Sequence, residues 1–249
     1  MKIGIWCQSS FESVLIMSAI PHNLQVVHAR IAAAARAAAR DPDAISLLAV
    51  SKTFGPDAVI EAARAGQRAF GENYLQEALE KMATVRAALP EALLEWHFIG
   101  PIQSNKTRHI AENFDWVHSI EREKIAHRLS EQRPAHLKPL NVCLQINISG
   151  EASKSGATPD QALALARQVA ALPGLRLRGL MAIPEPEADF ARQRMRFRQL
   201  RELFQHLRER GLALDTLSMG MTADLDAAIA EGATLVRVGT AIFGHRSGA

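Results

Sequence analysis

The chain has little that would staple it, anchor it or bind a metal. Its two cysteines, Cys7 and Cys143, lie far apart, one in an irregular N-terminus and one inside an apolar run. They make no disulfide framework, and a reducing compartment, the cytoplasm, is expected. No apolar run approaches the length of a membrane span, and residues 1–16 hold one lysine without a sustained apolar stretch. Neither a spanning helix nor a secretory leader is therefore expected. The nine histidines are scattered with no H-E-x-x-H or similar spacing, so no metal site is supported. A net charge of +3 is mild for 249 residues and demands no polyanionic partner. The arginines Arg192, Arg194, Arg196, Arg198, Arg201, Arg208 and Arg210 are interleaved with Glu202 and Glu209. They read as the solvated face of an outer helix rather than a nucleic-acid surface.

What the chain has is a core of Ala, Leu, Val and Ile, with hydrophobic content of 48% and only 5% aromatic. Residues 1–16 show no clear periodicity and are expected to form a disordered extension, with 17–249 as one domain. Leu24, Val27, Ile31, Ala34, Ala35 and Ala38 recur at helical spacing, which predicts a helix over 21–40. Strands are expected at 47–50, 68–70, 93–99, 115–119, 141–148, 177–183, 214–218 and 234–238. Helices are expected between them at 56–65, 72–88, 104–113, 121–132, 159–172, 188–210 and 222–230. Thr158-Pro159-Asp160-Gln161 has the pattern of a capping box with proline at the first helical position.

Strand and helix thus alternate about eight times after one extra N-terminal helix, the pattern and size of a single (β/α)8 TIM barrel of the α/β class. An open doubly wound sheet is the alternative. It would normally carry a G-x-G-x-x-G turn after its first strand, where this chain reads Ser51-Lys52-Thr53-Phe54-Gly55.

The chain is organised around Leu47-Leu48-Ala49-Val50-Ser51-Lys52, a buried strand that stops at a lysine. Leu48, Val50 and Lys52 share a face by alternation. Desolvation favours the neutral amine, the nucleophile that condenses with an aldehyde. A lysine that merely snorkels from a strand end is the competing reading. Barrel phosphate sites commonly follow strands seven and eight, and here those loops read Ser218-Met219-Gly220-Met221-Thr222 and Val238-Gly239-Thr240. Glycines there admit a close ligand, and Ser218, Thr222 and Thr240 offer hydroxyls. Arg237, at the end of an apolar strand, needs either a carboxylate from a neighbouring strand or a ligand atom.

Lysine, anion cup and arginine together suit pyridoxal 5'-phosphate (PLP), which has an aldehyde, a phosphate and a ring nitrogen. Seven segments occur in order: Ala49-Val50-Ser51-Lys52, Phe70-Gly71-Glu72-Asn73-Tyr74, His97-Phe98-Ile99-Gly100, Gln103-Ser104-Asn105-Lys106, Gly179-Leu180-Met181, Ser218-Met219-Gly220-Met221-Thr222 and the run from Val236 to Gly244. Over about residues 18–245 the chain resembles the pyridoxal phosphate homeostasis protein family, a single barrel similar to the N-terminal domain of alanine racemase. The resemblance implies that Lys52 forms the internal aldimine. It implies that Ser218, Gly239 and Thr240 hold the phosphate, that Arg237 faces the pyridine nitrogen, and that Asn73, Met181 and Met219 line the pocket. It also implies intracellular PLP homeostasis, linked to amino- and keto-acid balance; PLP-dependent apoenzymes are candidate recipients, which the sequence does not identify.

An arginine beside the pyridine nitrogen leaves it unprotonated and weakens carbanion stabilisation. In alanine racemase a tyrosine from a C-terminal β domain serves the second face, whereas this sequence stops at Ala249 and holds one tyrosine, Tyr74. A carrier without efficient turnover is therefore expected. A PLP-dependent amino-acid racemase or related lyase stays open, because Lys52 could act as a base. With no apolar interface stripe in view, a monomer is expected. Lys154, in the polar loop 150–156, is read as a secondary cofactor contact. His97 is read as a hydrogen-bonded core histidine, and Glu72 as the partner of a buried cation that the sequence does not identify.

Overall fold

Pro56 and Pro159 each stand at the first position of a helix, where a missing N–H costs nothing. Gly66 and Gly211 follow helix ends with φ of +104° and +89°, the left-handed turn that glycine takes without steric penalty. Between such punctuation, the computed structural model describes residues 19–149 and 155–244. Helix α1 (Ile20–Ala37) comes first. The repeats that follow are β1 (Ser46–Val50) and α2 (Pro56–Arg64), β2 (Ala69–Glu72) and α3 (Leu75–Ala88), β3 (Glu95–Phe98) and α4 (Thr107–Asn113), β4 (Trp116–Ile120) and α5 (Glu123–Gln132). The second half has β5 (Leu140–Gln145) and α6 (Pro159–Ala170), β6 (Leu175–Met181) and α7 (Phe190–Glu209), β7 (Thr216–Ser218) and α8 (Leu225–Ala230), β8 (Leu235–Val238) and α9 (Thr240–Phe243).

The strands pair in parallel in chain order, and β1 pairs with β8, so the sheet is a closed eight-stranded barrel. That closure excludes the open sheet. Alternation divides each strand between two environments. Leu47 and Ala49 of β1, Val117 of β4, and Val236 and Val238 of β8 join the apolar layer that fastens helices to sheet. Trp116, Cys143 and Met181 pack together as a separate buried group, and His97 stacks on Trp116 with ring centroids 5.3 Å apart.

Two expectations need correction, and one element was not foreseen. Glu72 belongs to β2, not to the following helix, which begins at Leu75; its backbone is in the ladder, opposite Phe98. The first turn after Ser104 is a 3-10 turn over Ser104–Lys106, ahead of α4. Helix α9, at the exit of β8, had no counterpart in the sequence reading. The capping box forms as its pattern requires. The expected extension at 1–16 lies outside the described residues.

The arginine-rich helix α7 is more than a solvated surface. Arg194 and Arg198 approach Glu231 Oε1 at 2.8 and 3.3 Å, and Arg201 approaches Oε2 at 3.0 Å. Glu231, just past α8, is fully buried. Burial pushes its carboxyl up, but the hydrogen bonds from Arg198 and Arg194 and the charges of Arg201 and Arg194 outweigh that and hold it below the ordinary 4.5. A depressed carboxylate contributes stability above its unfolded pKa and loses it as pH falls through the folded value. Glu231→Gln is therefore expected to flatten the acid limb of the stability curve, measured by urea unfolding from about pH 3 to pH 7. An unchanged slope would remove Glu231 as an acid-sensitive tie between α7 and α8.

Candidate functional site

β1 ends at Val50, and the chain turns through Ser51, Lys52 and Thr53 before α2 begins at Pro56. Ser51 is fully buried, and Thr53 sits at φ +69°, a left-handed conformation unfavourable for a β-branched residue. Such a conformation persists where surrounding contacts impose it. Here the contacts come from α3 and β2. Lys81 Nζ donates to Ser51 O at 2.9 Å, to Glu72 Oε1 at 2.7 Å and to Glu77 Oε1 at 2.9 Å. Ser51 Oγ donates to Glu72 Oε1 at 2.6 Å, and Thr53 N–H donates to Glu77 Oε1 at 2.7 Å. The backbone is thus gripped on both sides of Lys52. The cation that Glu72 was expected to meet is Lys81. Burial pushes the Glu72 carboxyl above its usual range, and Lys81 pulls it back in part.

Lys52 itself is half-buried and lines a cavity of about 400 Å³ with Val50, Thr53, Phe54, Gly239, Thr240 and Gly244. A Cβ on Gly239 would stand 3.0 Å from Val50 O, so glycine lets the β8 exit pass close to the end of β1. Gly239 leads directly into α9, and Thr240 is exposed at its first position.

Arg237 lies deeper and is 3% exposed. Its Nη1 donates to Ser218 O and Ser218 Oγ, each at 2.7 Å, and its Nη2 donates to Ala182 O at 2.9 Å. Among the described residues no carboxylate forms an ion pair with it. Burial lowers its pKa to about 10, with Asp224 opposing, so it stays a cation at neutral pH. Neither acceptor foreseen for it from the sequence, a strand carboxylate or a ligand, is needed to satisfy these three donors.

Ser218 is also occupied on its other side. His118 Nδ1 lies 2.8 Å from Ser218 Oγ, and His118 Nε2 lies 2.9 Å from His97 Nδ1. His97 is an interior, hydrogen-bonded histidine. Burial lowers the pKa of both rings, and for His118 the charges of His97 and Arg237 add to the effect and take it well below its usual range.

The structure therefore brings the expected residues together in groups. Lys52, Gly239 and Thr240 share one cavity, while Ser218 and Arg237 share hydrogen bonds beneath the mouth. Met181 is paired with Ser218 in the ladder, and Met219 follows it; both methionines are fully buried. Asn73 faces a second cavity of about 220 Å³, with Ile99, Ser119, Gln145 and Ile183 also in its wall. Asn73 Oδ1 is buried and has no partner among the described residues. A further cavity of about 630 Å³ touches Trp96 and Asp115 near the starts of β3 and β4 and contains none of the candidate residues. Lys154 lies outside the described residues. Lys81, Glu77 and His118 were not singled out from the sequence. Lys81 sits four residues after Glu77 on a helix, an ordinary surface pairing, and nothing in the pattern marks it as buried.

A ligand with an aldehyde, an anionic group and a neutral ring acceptor fits this arrangement, because a buried cation with only neutral partners and an orphaned amide oxygen border the lysine's end of the barrel. Comparison with known proteins agrees. The family described as alanine racemase, N-terminal domain, matches residues 17–247. A pyridoxal phosphate homeostasis protein of Pseudomonas aeruginosa is 65% identical over 230 residues, covering 92% of this chain and 97% of the relative. The protein of the same name from Escherichia coli (strain K12) is 55% identical over 230 residues, covering 92% and 98%. The structure of PipY from Synechococcus elongatus PCC7942 with PLP bound superposes with a TM-score of 0.78 at 35% identity, covering 90% of this chain and all of that one. Alanine racemase from Corynebacterium glutamicum, at 20% identity and a TM-score of 0.64, shares the fold over 90% of this chain and 60% of its own. The chain belongs to the pyridoxal phosphate homeostasis protein family.

Proposed function

We propose that this protein binds pyridoxal 5'-phosphate through Lys52 and takes part in PLP homeostasis as a carrier without efficient turnover. The observation that carries the reading is Arg237, a buried cation whose hydrogen-bond partners among the described residues are all neutral. When bound, the cofactor supplies an electron-withdrawing ring, and a donor-only arginine at its nitrogen keeps that capacity weak. Lys52 supplies the amine that bonds the aldehyde carbon. Gly239 and Thr240 at the β8 exit hold the phosphate, with backbone amides and a hydroxyl for the anion. Asn73, Met181 and Met219 bound the space occupied by the ring. Ser218, whose hydroxyl is shared by His118 and Arg237, serves the ring nitrogen's partner more directly than the phosphate. In this reading the protein acts as a cytoplasmic monomer that hands PLP to PLP-dependent apoenzymes.

The test is covalent. Purified protein mixed with PLP is expected to develop a visible absorption band, and borohydride reduction followed by peptide mass mapping is expected to place the label on Lys52. Lys52→Ala should remain colourless. A protein that stays colourless with PLP, or a label carried only by Lys154, overturns the assignment.

A further inference from the structure

We propose that His97 and His118 form, with Ser218, a one-way hydrogen-bond chain through the barrel that fixes Arg237, making both histidines positioning residues for whatever Arg237 meets at the mouth. The four residues stand on β3, β4, β7 and β8, so the chain crosses the barrel interior between opposite walls. Its direction follows from one fact: a guanidinium has donors and no acceptor.

Arg237 Nη1–H donates to Ser218 Oγ. The serine hydroxyl then has one proton to place, and His118 Nδ1, 2.8 Å away, accepts it. With Nδ1 bare, a neutral His118 carries its proton on Nε2 and donates it to His97 Nδ1 at 2.9 Å. His97 in turn carries its proton on Nε2, which has no hydrogen-bond partner among the described residues and points toward Glu95 Oε2 at 3.6 Å. Glu95 is largely exposed at the start of β3, so the chain runs from the mouth to the opposite rim of the barrel. The reverse order fails at Ser218. Two donors would converge on its oxygen, and its own proton would be left in a fully buried site.

The surroundings keep the chain neutral. Burial lowers the His97 pKa, with Glu95 and Asp115 opposing it, and at His118 burial is joined by the charges of His97 and Arg237, so a second cation beside the arginine is disfavoured. Arg178 lies over the Trp116 ring, 4.6 Å from its centroid, on the same ring that stacks with His97. The charge of Asp224 supports the Arg237 cation, and burial pushes the Cys143 thiol up to about 12, so that thiol is neutral. No proton transfer is required. The chain acts by orientation: each ring is locked in one tautomer, and His97 holds His118, which holds the serine that holds the arginine.

The first measurement needs no cofactor. Nitrogen-15 spectra of the unloaded protein are expected to show both histidines neutral with the proton on Nε2 at about pH 7 and above. An imidazolium at pH 7, or a proton on His118 Nδ1, overturns the chain. The second measurement rests on the PLP reading. His118→Phe removes the acceptor for Ser218, whereas His118→Asn places an amide oxygen where Nδ1 stood. His118→Phe is expected to move the visible absorption maximum and weaken PLP binding about tenfold, and His118→Asn to keep the wild-type spectrum and affinity. Ser218→Ala, one step nearer the arginine, should repeat the His118→Phe shift and serves if that variant does not fold. Identical spectra in all variants overturn the positioning role. A wild-type protein that does not bind PLP refutes the cofactor reading alone, and the nitrogen spectra still decide the chain.

Discussion

Lys81→Met is expected to cost about 3–5 kcal/mol of unfolding free energy, because removing one member of a buried ion pair strands the other charge. The pair is dry: the Lys81 and Glu72 side chains are 2% and 0% exposed, with Nζ 2.7 Å from Oε1. Glu72 Oε2 already lacks a hydrogen-bond partner among the described residues. Without Lys81 the carboxylate must either stay charged with only Ser51 Oγ in support, or take up a proton. The double variant Lys81→Met with Glu72→Met removes both charges and is expected to recover most of the stability, since apolar replacement of a whole buried pair is often neutral. It should not recover PLP affinity. In both variants Ser51 O loses its side-chain donor and keeps only the local Phe54 N–H. The double variant also removes the acceptor of Ser51 Oγ, so the turn that aims Lys52 is tied to α3 by Glu77 and Thr53 N–H alone. Urea unfolding and PLP titration of both variants separate the two effects. A single variant within about 1 kcal/mol of wild type would falsify the view that this pair is desolvated, and a double variant of normal PLP affinity would remove the clamp on Lys52.

This contrast marks what was legible in the chain. Elements follow from local patterns, so the barrel and its order could be read from apolar runs separated by proline and glycine. Lys52 was legible for the same reason, because alternation along a single strand put it beyond Leu48 and Val50. The residues that serve it were not. Lys81 and Glu77 read as an i,i+4 pair on a charged helix, and burial of Lys81 depends on β2 lying behind α3. The misplacement of Glu72 has the same origin. Gly71 looked like a strand terminator, yet it pairs with Val50 and His97, and a Cβ there would press to 3.2 Å on Leu48 and Ile99. His118 was invisible for a different reason. A histidine in the apolar run Trp116 to Ile120 has no local feature that names its partner, and Ser218 is one hundred residues away. Arg237 is legible from its charge, but of the two acceptors the sequence offers for it, the carboxylate of a neighbouring strand is not there as an ion-pair partner among the described residues. Ser218 O and Oγ on the adjacent β7 and Ala182 O just past β6 take its donors.

Gly179→Ala is expected to be the most damaging single methyl that can be added to the barrel, and its effect should reach the site. Gly179 pairs with Thr216 in the ladder, followed by Leu180 with Leu217 and Met181 with Ser218. A Cβ at Gly179 would fall on the Thr216 carbonyl oxygen, which is backbone and has no rotamer to escape into. On the other side Gly179 pairs with Cys143 where the β5–β6 register shifts, so β6 is held between two neighbours at an irregular step. Relief requires β6 and β7 to separate, and β7 is only three residues long. Its last residue is Ser218, so the strand that gives way is the one that presents the hydroxyl and carbonyl to Arg237. The expected loss is about 3 kcal/mol or more, at the upper end of overpacking effects because the colliding atom is main chain. Gly55→Ser is the matching control. Gly55 has φ −69° and ψ 171°, caps α2, and has nothing within 4 Å of an added Cβ. Serine is a good cap, so that variant should lie within about 0.5 kcal/mol of wild type or be slightly more stable. Urea midpoints of the two variants decide the matter. If Gly179→Ala unfolds at the wild-type midpoint, β6 and β7 are not in the register described, and the placement of Ser218 against Arg237 fails with it.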